Sequence, residues 1–176
     1  MIILMGVAGA GKSSQGQLFA GELGYQWIST GEIFRSQLSD ERQKELQTGK
    51  LLGDREVIEL VDHTLGALKG EEAVLDGFPR TISQAEWLMK QVKDKRFNLE
   101  AVFNLVATRE VVKARLLARG RSDDSEEGIN ERFSEYENKT VPIIEFFRNS
   151  NISVYDINAD QPPEAVHSEM MSHISK

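Results

Sequence analysis

Gly6-Val7-Ala8-Gly9-Ala10-Gly11-Lys12-Ser13 decides how this chain reads. The apolar run Ile2-Ile3-Leu4-Met5 precedes it and reads as a buried strand. Ser14-Gln15-Gly16-Gln17-Leu18-Phe19-Ala20 follows and opens a helix. Strand, glycine-rich loop and helix make a phosphate-binding loop of the form G-x-x-x-x-G-K-[ST]. The glycines let backbone N–H groups wrap a polyphosphate, and the helix N-terminus adds partial positive charge. Lys12 is placed to reach the outer phosphates, and a serine hydroxyl, from Ser13 or Ser14, to ligate Mg²⁺. The bland alternative is a glycine-rich turn that only links strand to helix. A dinucleotide-binding loop fits worse: Gly9-Ala10-Gly11 supplies G-x-G, but Ser14 stands where the third glycine is wanted.

A length of 176 residues suits one domain with a full-sized core. The absence of cysteine excludes disulfides and thiolate zinc sites. No apolar run approaches membrane-spanning length, and Met1-Ile2-Ile3-Leu4 lacks the basic flank of a signal peptide, so a cytoplasmic protein is expected. The net charge of -7 argues against nucleic acid as a partner. Anionic small molecules then require positive charge to be concentrated locally, which makes the positions of the arginines informative.

Short apolar runs alternate with longer amphipathic stretches, the pattern of a parallel sheet covered by helices. The expected strands are Ile2–Gly6, Tyr25–Ser29, Ala73–Asp76, Ala101–Val106 and Ser153–Ile157. The expected helices cover Lys12–Leu23, Gly31–Leu38, Asp54–Leu68, Ser83–Lys93, Glu110–Arg119, Glu126–Arg148 and Pro163–Ile174. Leu23-Gly24 is a helix stop, Thr108 a candidate N-cap, and Pro142 should kink or split the long helix. Two stretches break the alternation: 30–55, helical but interrupted at Gly49 and Gly53, and the polar 119–130. Both read as insertions beside the phosphate loop that close over a ligand.

Asp76-Gly77-Phe78-Pro79-Arg80-Thr81 directly follows the third strand. A carboxylate there can hold Mg²⁺ through water, although Asp-Gly before Pro is also simply a turn. Arg80 favours the first reading, because a phosphate site wants a planar fork of donors. At this point the chain resembles the nucleoside monophosphate kinase family, most of all its adenylate kinases. The matching segments, in order, are Gly6–Gln15, Ser29-Thr30-Gly31-Glu32-Ile33-Phe34-Arg35, Gly49-Lys50-Leu51-Leu52-Gly53-Asp54, Asp76–Ala85, and Gly120-Arg121-Ser122-Asp123-Asp124 with Arg132. The lid is minimal, as in the short-lid branch of that family.

The resemblance implies a P-loop α/β/α fold with a five-stranded parallel sheet. It implies a core of 1–29, 56–118 and 131–176, a monophosphate-binding insertion at 30–55 and a lid at 119–130. It assigns Gly9, Ala10, Gly11, Lys12, Ser13, Ser14, Arg119 and Gln161 to ATP, and Thr30, Arg35, Leu52, Gly77, Arg80, Gln84, Arg121 and Arg132 to AMP. Lys12, Arg80, Arg121 and Arg132 take the catalytic role, with Ser13, Ser14 and Asp76 as candidates for Mg²⁺. Asp123 and Asp124 are implied to pair with arginines on closure. The implied reaction is reversible, Mg²⁺-dependent transfer of the ATP γ-phosphoryl group to AMP, giving two ADP, by a protein expected to be a cytoplasmic monomer.

Charge supports that pattern independently. ATP and AMP together carry roughly six negative charges, and Lys12 with Arg35, Arg80, Arg119, Arg121 and Arg132 opposes them. An anionic phosphate acceptor needs no aspartate base, so positioning and charge neutralisation carry the chemistry. Gln84 offers an amide donor and acceptor side by side, suited to adenine; its bland alternative is a polar helix-surface residue. The remaining arginines and His63, His167 and His173 read as surface residues. Ala8, Ser13-Ser14 and Gly53 depart from the family pattern.

The competing readings are a UMP or CMP kinase of the same family, a small-metabolite kinase, a GTP switch and a non-catalytic nucleotide-binding module. The switch lacks its signatures: Asn138-Lys139-Thr140-Val141 has no aspartate, and Asp76-Gly77-Phe78-Pro79 has no glycine at its end.

Overall fold

A computed structural model describes residues 1–39, 52–120 and 124–174, without the side chains of Arg35 and Gln37. The side chain of Arg35, and all of Gly49 to Leu51, Arg121, Ser122 and Asp123, therefore lie outside the described residues. Five strands, β1 (Ile2–Gly6), β2 (Gln26–Ser29), β3 (Ala73–Asp76), β4 (Ala101–Val106) and β5 (Val154–Asn158), form one parallel sheet in the order β2-β3-β1-β4-β5. Both faces are covered. Ile3 and Met5 of β1 join an apolar cluster with Leu75, Phe78, Leu88 and Phe147, while Ile2 and Leu4 join another with Phe19, Phe103, Leu116 and Ile157. Alternating side chains on a strand point to opposite faces, so an unbroken apolar run is what a doubly covered strand requires.

The helices are α1 (Lys12–Leu23), α2 (Thr30–Gln37), α3 (Asp54–Ala67), α4 (Ile82–Lys93), α5 (Arg109–Arg119), α6 (Glu126–Glu135), α7 (Val141–Asn149) and α8 (Pro163–Ser172). Gly24 ends α1 in the left-handed conformation, at φ 70°, as the sequence indicates. Gly16 lets α1 lie close on the sheet: a Cβ there would sit 2.1 Å from Trp27 Cζ3 and 2.6 Å from Leu4 Cδ1. Among the described residues no helix is long and apolar enough to cross a membrane.

The long helix expected over 126–148, with a kink or split at Pro142, is divided into α6, a π-helical turn Tyr136–Thr140 and α7. Pro142 has no N–H for the carbonyl four residues back, and it falls in the first turn of α7. Just before it, the Val141 N–H bonds to Tyr136 O, five residues away. Below this turn the Tyr136 hydroxyl donates to Asn104 Oδ1 (3.1 Å) and Asn104 Nδ2 to Asp156 Oδ1 (2.8 Å). The widened turn is thus seated on β4 and β5.

Strand register positions the site. Leu4 lies opposite Asp76, and Ser29 opposite Asp76 on the other side. The loop after β1, Thr30 after β2 and Gly77 after β3 therefore emerge side by side at the carboxyl ends of the strands, where open α/β sheets bind ligands.

Candidate active site

The loop after β1 is shaped by backbone. Gly9 has φ 95°, and a Cβ on it would lie 2.9 Å from Leu116 Cγ, so α5 closes directly on the loop. Gly11, at φ 102°, occupies the N-cap position of α1 and offers no side chain to the first N–H groups of that helix, which leaves them directed at an incoming anion. Lys12 folds back so that Nζ donates to Gly6 O (2.8 Å) and Val7 O (3.1 Å). Ser13 and Ser14 are both exposed, and it is Ser13 whose Oγ donates to Asp76 Oδ2, at 2.7 Å.

The corner after β3 is made of side chains. Thr30 is fully buried and its Oγ1 donates to Asp76 O at 3.3 Å. Gly77 has φ 85°, and a Cβ on it would lie 2.3 Å from Thr30 Oγ1 and 3.1 Å from an Arg80 terminal nitrogen, so only glycine fits. Arg80 Nε donates to Gly77 O at 2.9 Å. Gln84 is only 3% exposed, which sets aside its bland alternative, a polar helix-surface residue. Its Oε1 accepts the Arg80 backbone N–H (2.8 Å), and its Nε2 donates to Asp54 Oδ1 (2.8 Å). Thr81 caps α4 by accepting the Gln84 N–H at 3.2 Å. Leu52 packs, partly buried, against the apolar cluster that includes Phe78.

On the lid side, Asp124 gathers two of the expected arginines. Arg119 grips it with Nε (3.0 Å) and a terminal nitrogen (2.6 Å), and Arg132 adds a bond at 2.7 Å. The Asp124 side chain is 2% exposed, and its charge is countered from two helices. Gln161 Nε2 donates to Asn158 O (3.0 Å) and Glu169 Oε2 (2.5 Å), which ties the loop after β5 to α8.

Residues 4–152 match the model of the adenylate kinase family. The adenylate kinase of Corynebacterium aurimucosum is 37% identical over 159 residues, covering 86% of this chain and 88% of that protein. Adenylate kinase 1 of a Nostoc species is 36% identical over 176 residues, covering 96% and 95%. The adenylate kinase of Synechococcus sp. strain WH7803 is 32% identical over 180 residues, covering 99% and 98%. The chain belongs to the adenylate kinase family. It is a nucleoside monophosphate kinase, hence a phosphotransferase, and these relatives lend no support to the alternative readings.

Within this adenylate kinase family member the electrostatics centre on Lys12. Burial pushes its ammonium below the usual lysine range; Asp76 acts against that shift and Arg80 adds to it. A buried cation held against two carbonyls favours an incoming polyphosphate. Among the described residues no group of three or more His, Cys, Asp or Glu side chains is arranged to hold a metal. The Ser13 hydroxyl and Asp76 carboxylate nonetheless form a hard-oxygen pair, which suits an ion that keeps most of its ligands as water and phosphate.

One site residue escaped the sequence reading. Arg115 on α5 donates to Ala10 O of the phosphate loop at 3.3 Å and is not a solvated surface charge. Its spacing of four from Arg119, which puts both on one helical face, was the available signal. His167 is likewise no free surface residue: its Nε2 pairs with Glu22 at 2.7 Å and its ring meets Phe19 edge-on.

Proposed function

We propose that the protein transfers the γ-phosphoryl group of ATP to AMP, reversibly, giving two ADP. The observation that carries this reading is the double use of Asp76. Its carboxylate accepts from Ser13 of the phosphate loop, and its backbone carbonyl accepts from Thr30 of the acceptor corner. One residue thereby joins the phosphate loop to the corner that bears Arg80, an arrangement that supports direct transfer between two bound nucleotides.

On this reading Gly9, Ala10, Gly11, Lys12, Ser13 and Ser14 hold the donor phosphates, with Arg119 and Gln161 toward the adenine end. Thr30, Arg35, Leu52, Gly77, Arg80 and Gln84 hold AMP, and Arg121 and Arg132 face the transferring group. Ser13 and Asp76 would hold Mg²⁺, which supplies charge neutralisation at the phosphates when bound. Lys12 and the arginines offset charge that grows at the oxygens during transfer, in a site that excludes water. The acceptor oxygen is already ionised, so no side chain has to remove a proton. The segments 30–55 and 119–130 close over the nucleotides, with Asp124 pairing Arg119 and Arg132 in the closed site. The protein acts as a cytoplasmic monomer.

Coupled assays with ATP and each of AMP, UMP and CMP test the reading. AMP is expected to exceed both pyrimidine nucleotides in kcat/KM by at least about a hundredfold, the discrimination of a site with buried polar partners. A preference for UMP or CMP would overturn the acceptor assignment.

A further inference from the structure

Asp54, the first residue of α3, gathers three donors from across the corner. Thr81 Oγ1 reaches its Oδ2 at 3.0 Å, Ser83 Oγ the same oxygen at 2.9 Å, and Gln84 Nε2 reaches Oδ1 at 2.8 Å. The other end of the Gln84 amide, Oε1, accepts the Arg80 backbone N–H at 2.8 Å. These two neighbours are chemically one-sided: a carboxylate only accepts, and a backbone N–H only donates. The amide therefore has one sense. Turned over, its NH₂ would face the Arg80 N–H and its carbonyl would face the carboxylate, losing both bonds at a buried position.

We propose that Asp54 is a positioning residue for base selection, locking the Gln84 amide in the sense that accepts a 6-amino purine and rejects a 6-oxo purine. The inference rests on AMP being read at Gln84. With one Nε2 proton committed to Asp54 and one Oε1 lone pair to Arg80, a single N–H and a single lone pair remain, side by side. Adenine presents an amino donor next to a ring-nitrogen acceptor. Hypoxanthine and guanine present a carbonyl acceptor next to a ring N–H, the reverse order at the same two positions. An amide free to turn over could match either order; one held by Asp54 matches only one. Thr81 and Ser83 in turn hold the Asp54 carboxylate in place.

The test compares AMP with IMP, which differ only at that edge, as acceptors for ATP on the full-length protein. Wild type, Asp54→Asn and Asp54→Ala are measured, with circular dichroism and thermal unfolding to check folding. Asp54→Asn keeps the shape and an acceptor for Nε2, but also offers an N–H to an overturned Gln84. The ratio of kcat/KM for AMP over IMP should fall about tenfold in both variants, the effect of one lost hydrogen bond. The change should lie mainly in KM, with KM for IMP falling in Asp54→Asn. A purely structural role would depress both acceptors together and leave the ratio unchanged, which overturns the inference. If Asp54→Ala does not fold, the ratio in Asp54→Asn decides. A wild type with no preference for AMP over IMP overturns the acceptor reading itself; a wild-type preference that survives both substitutions overturns only the lock.

Discussion

The loop between β1 and α1 is made of main chain: Gly9 and Gly11 at positive φ, the uncapped start of a helix, and a lysine folded onto two carbonyls. The corner around Asp76 to Gln84 is made of side chains drawn from distant segments. Thr30 bonds Asp76 across 46 residues and Gln84 bonds Asp54 across 30. A backbone site depends on a short contiguous stretch and recognises phosphate, which every nucleotide carries. A side-chain site depends on long-range partners and can tell one base from another. The donor half is therefore expected to govern rate, and the acceptor half selectivity.

The largest expected effect breaks the donor half. Lys12→Ala should lower kcat/KM by roughly a thousandfold, about 4 kcal/mol, in steady-state assays. It should not lower the unfolding temperature, since it removes a buried ammonium that burial already disfavours. Retention of a tenth of the activity would contradict the proposed role of Lys12.

Next in size, Ser13→Ala and Ser14→Ala separate two neighbours that the motif alone does not. Loss of the Ser13 hydroxyl that meets Asp76 should cost about a hundredfold in kcat, while loss of the Ser14 hydroxyl should cost only a few-fold. Rates measured across a Mg²⁺ titration check this, and equal losses would dissolve the distinction.

Gly77→Ala tests the acceptor half. A Cβ 2.3 Å from Thr30 Oγ1 at φ 85° forces strain and overpacking. A stability loss of about 2–3 kcal/mol is expected in denaturant unfolding. The KM for AMP should rise while that for ATP changes little; a rise in both would mean that the halves are not separable.

The smallest effect is on pH dependence. Burial holds the free Lys12 below its usual value of 10.5, and bound polyphosphate favours the charged form and raises it again. Between the two values the complex holds more protons than the free protein. ATP binding should therefore take up a fraction of a proton, and affinity should weaken as pH rises through that window. Calorimetry in buffers of different ionisation enthalpy measures the uptake; proton release on binding would reverse the assignment.

Much of the fold was legible in the residues because it is locally encoded. The unbroken apolar run Ile2–Met5, the stop at Gly24 and the break at Pro142 each act through backbone preferences of a few residues. Less legible was what the break becomes: the π-helical turn is paired through Tyr136 to Asn104, 32 residues away. Arg115 and His167 were misread for the same reason. An arginine or histidine on a helix looks alike in sequence whether it meets water, the Ala10 carbonyl or the ring of Phe19.

By itself the sequence determined a phosphate loop at the end of a buried strand, an alternating α/β order, and a chain of short motifs characteristic of nucleoside monophosphate kinases. The tertiary structure alone decided that Ser13 rather than Ser14 meets Asp76, 63 residues on, that the Gln84 amide has one sense, and that Arg119 and Arg132 converge on Asp124. Glycine torsions and apolar periodicity act over a few residues and are visible in any short window. A side chain's partner is set by the register of parallel strands, Ser29 and Leu4 each opposite Asp76, and that register exists only once the sheet has formed.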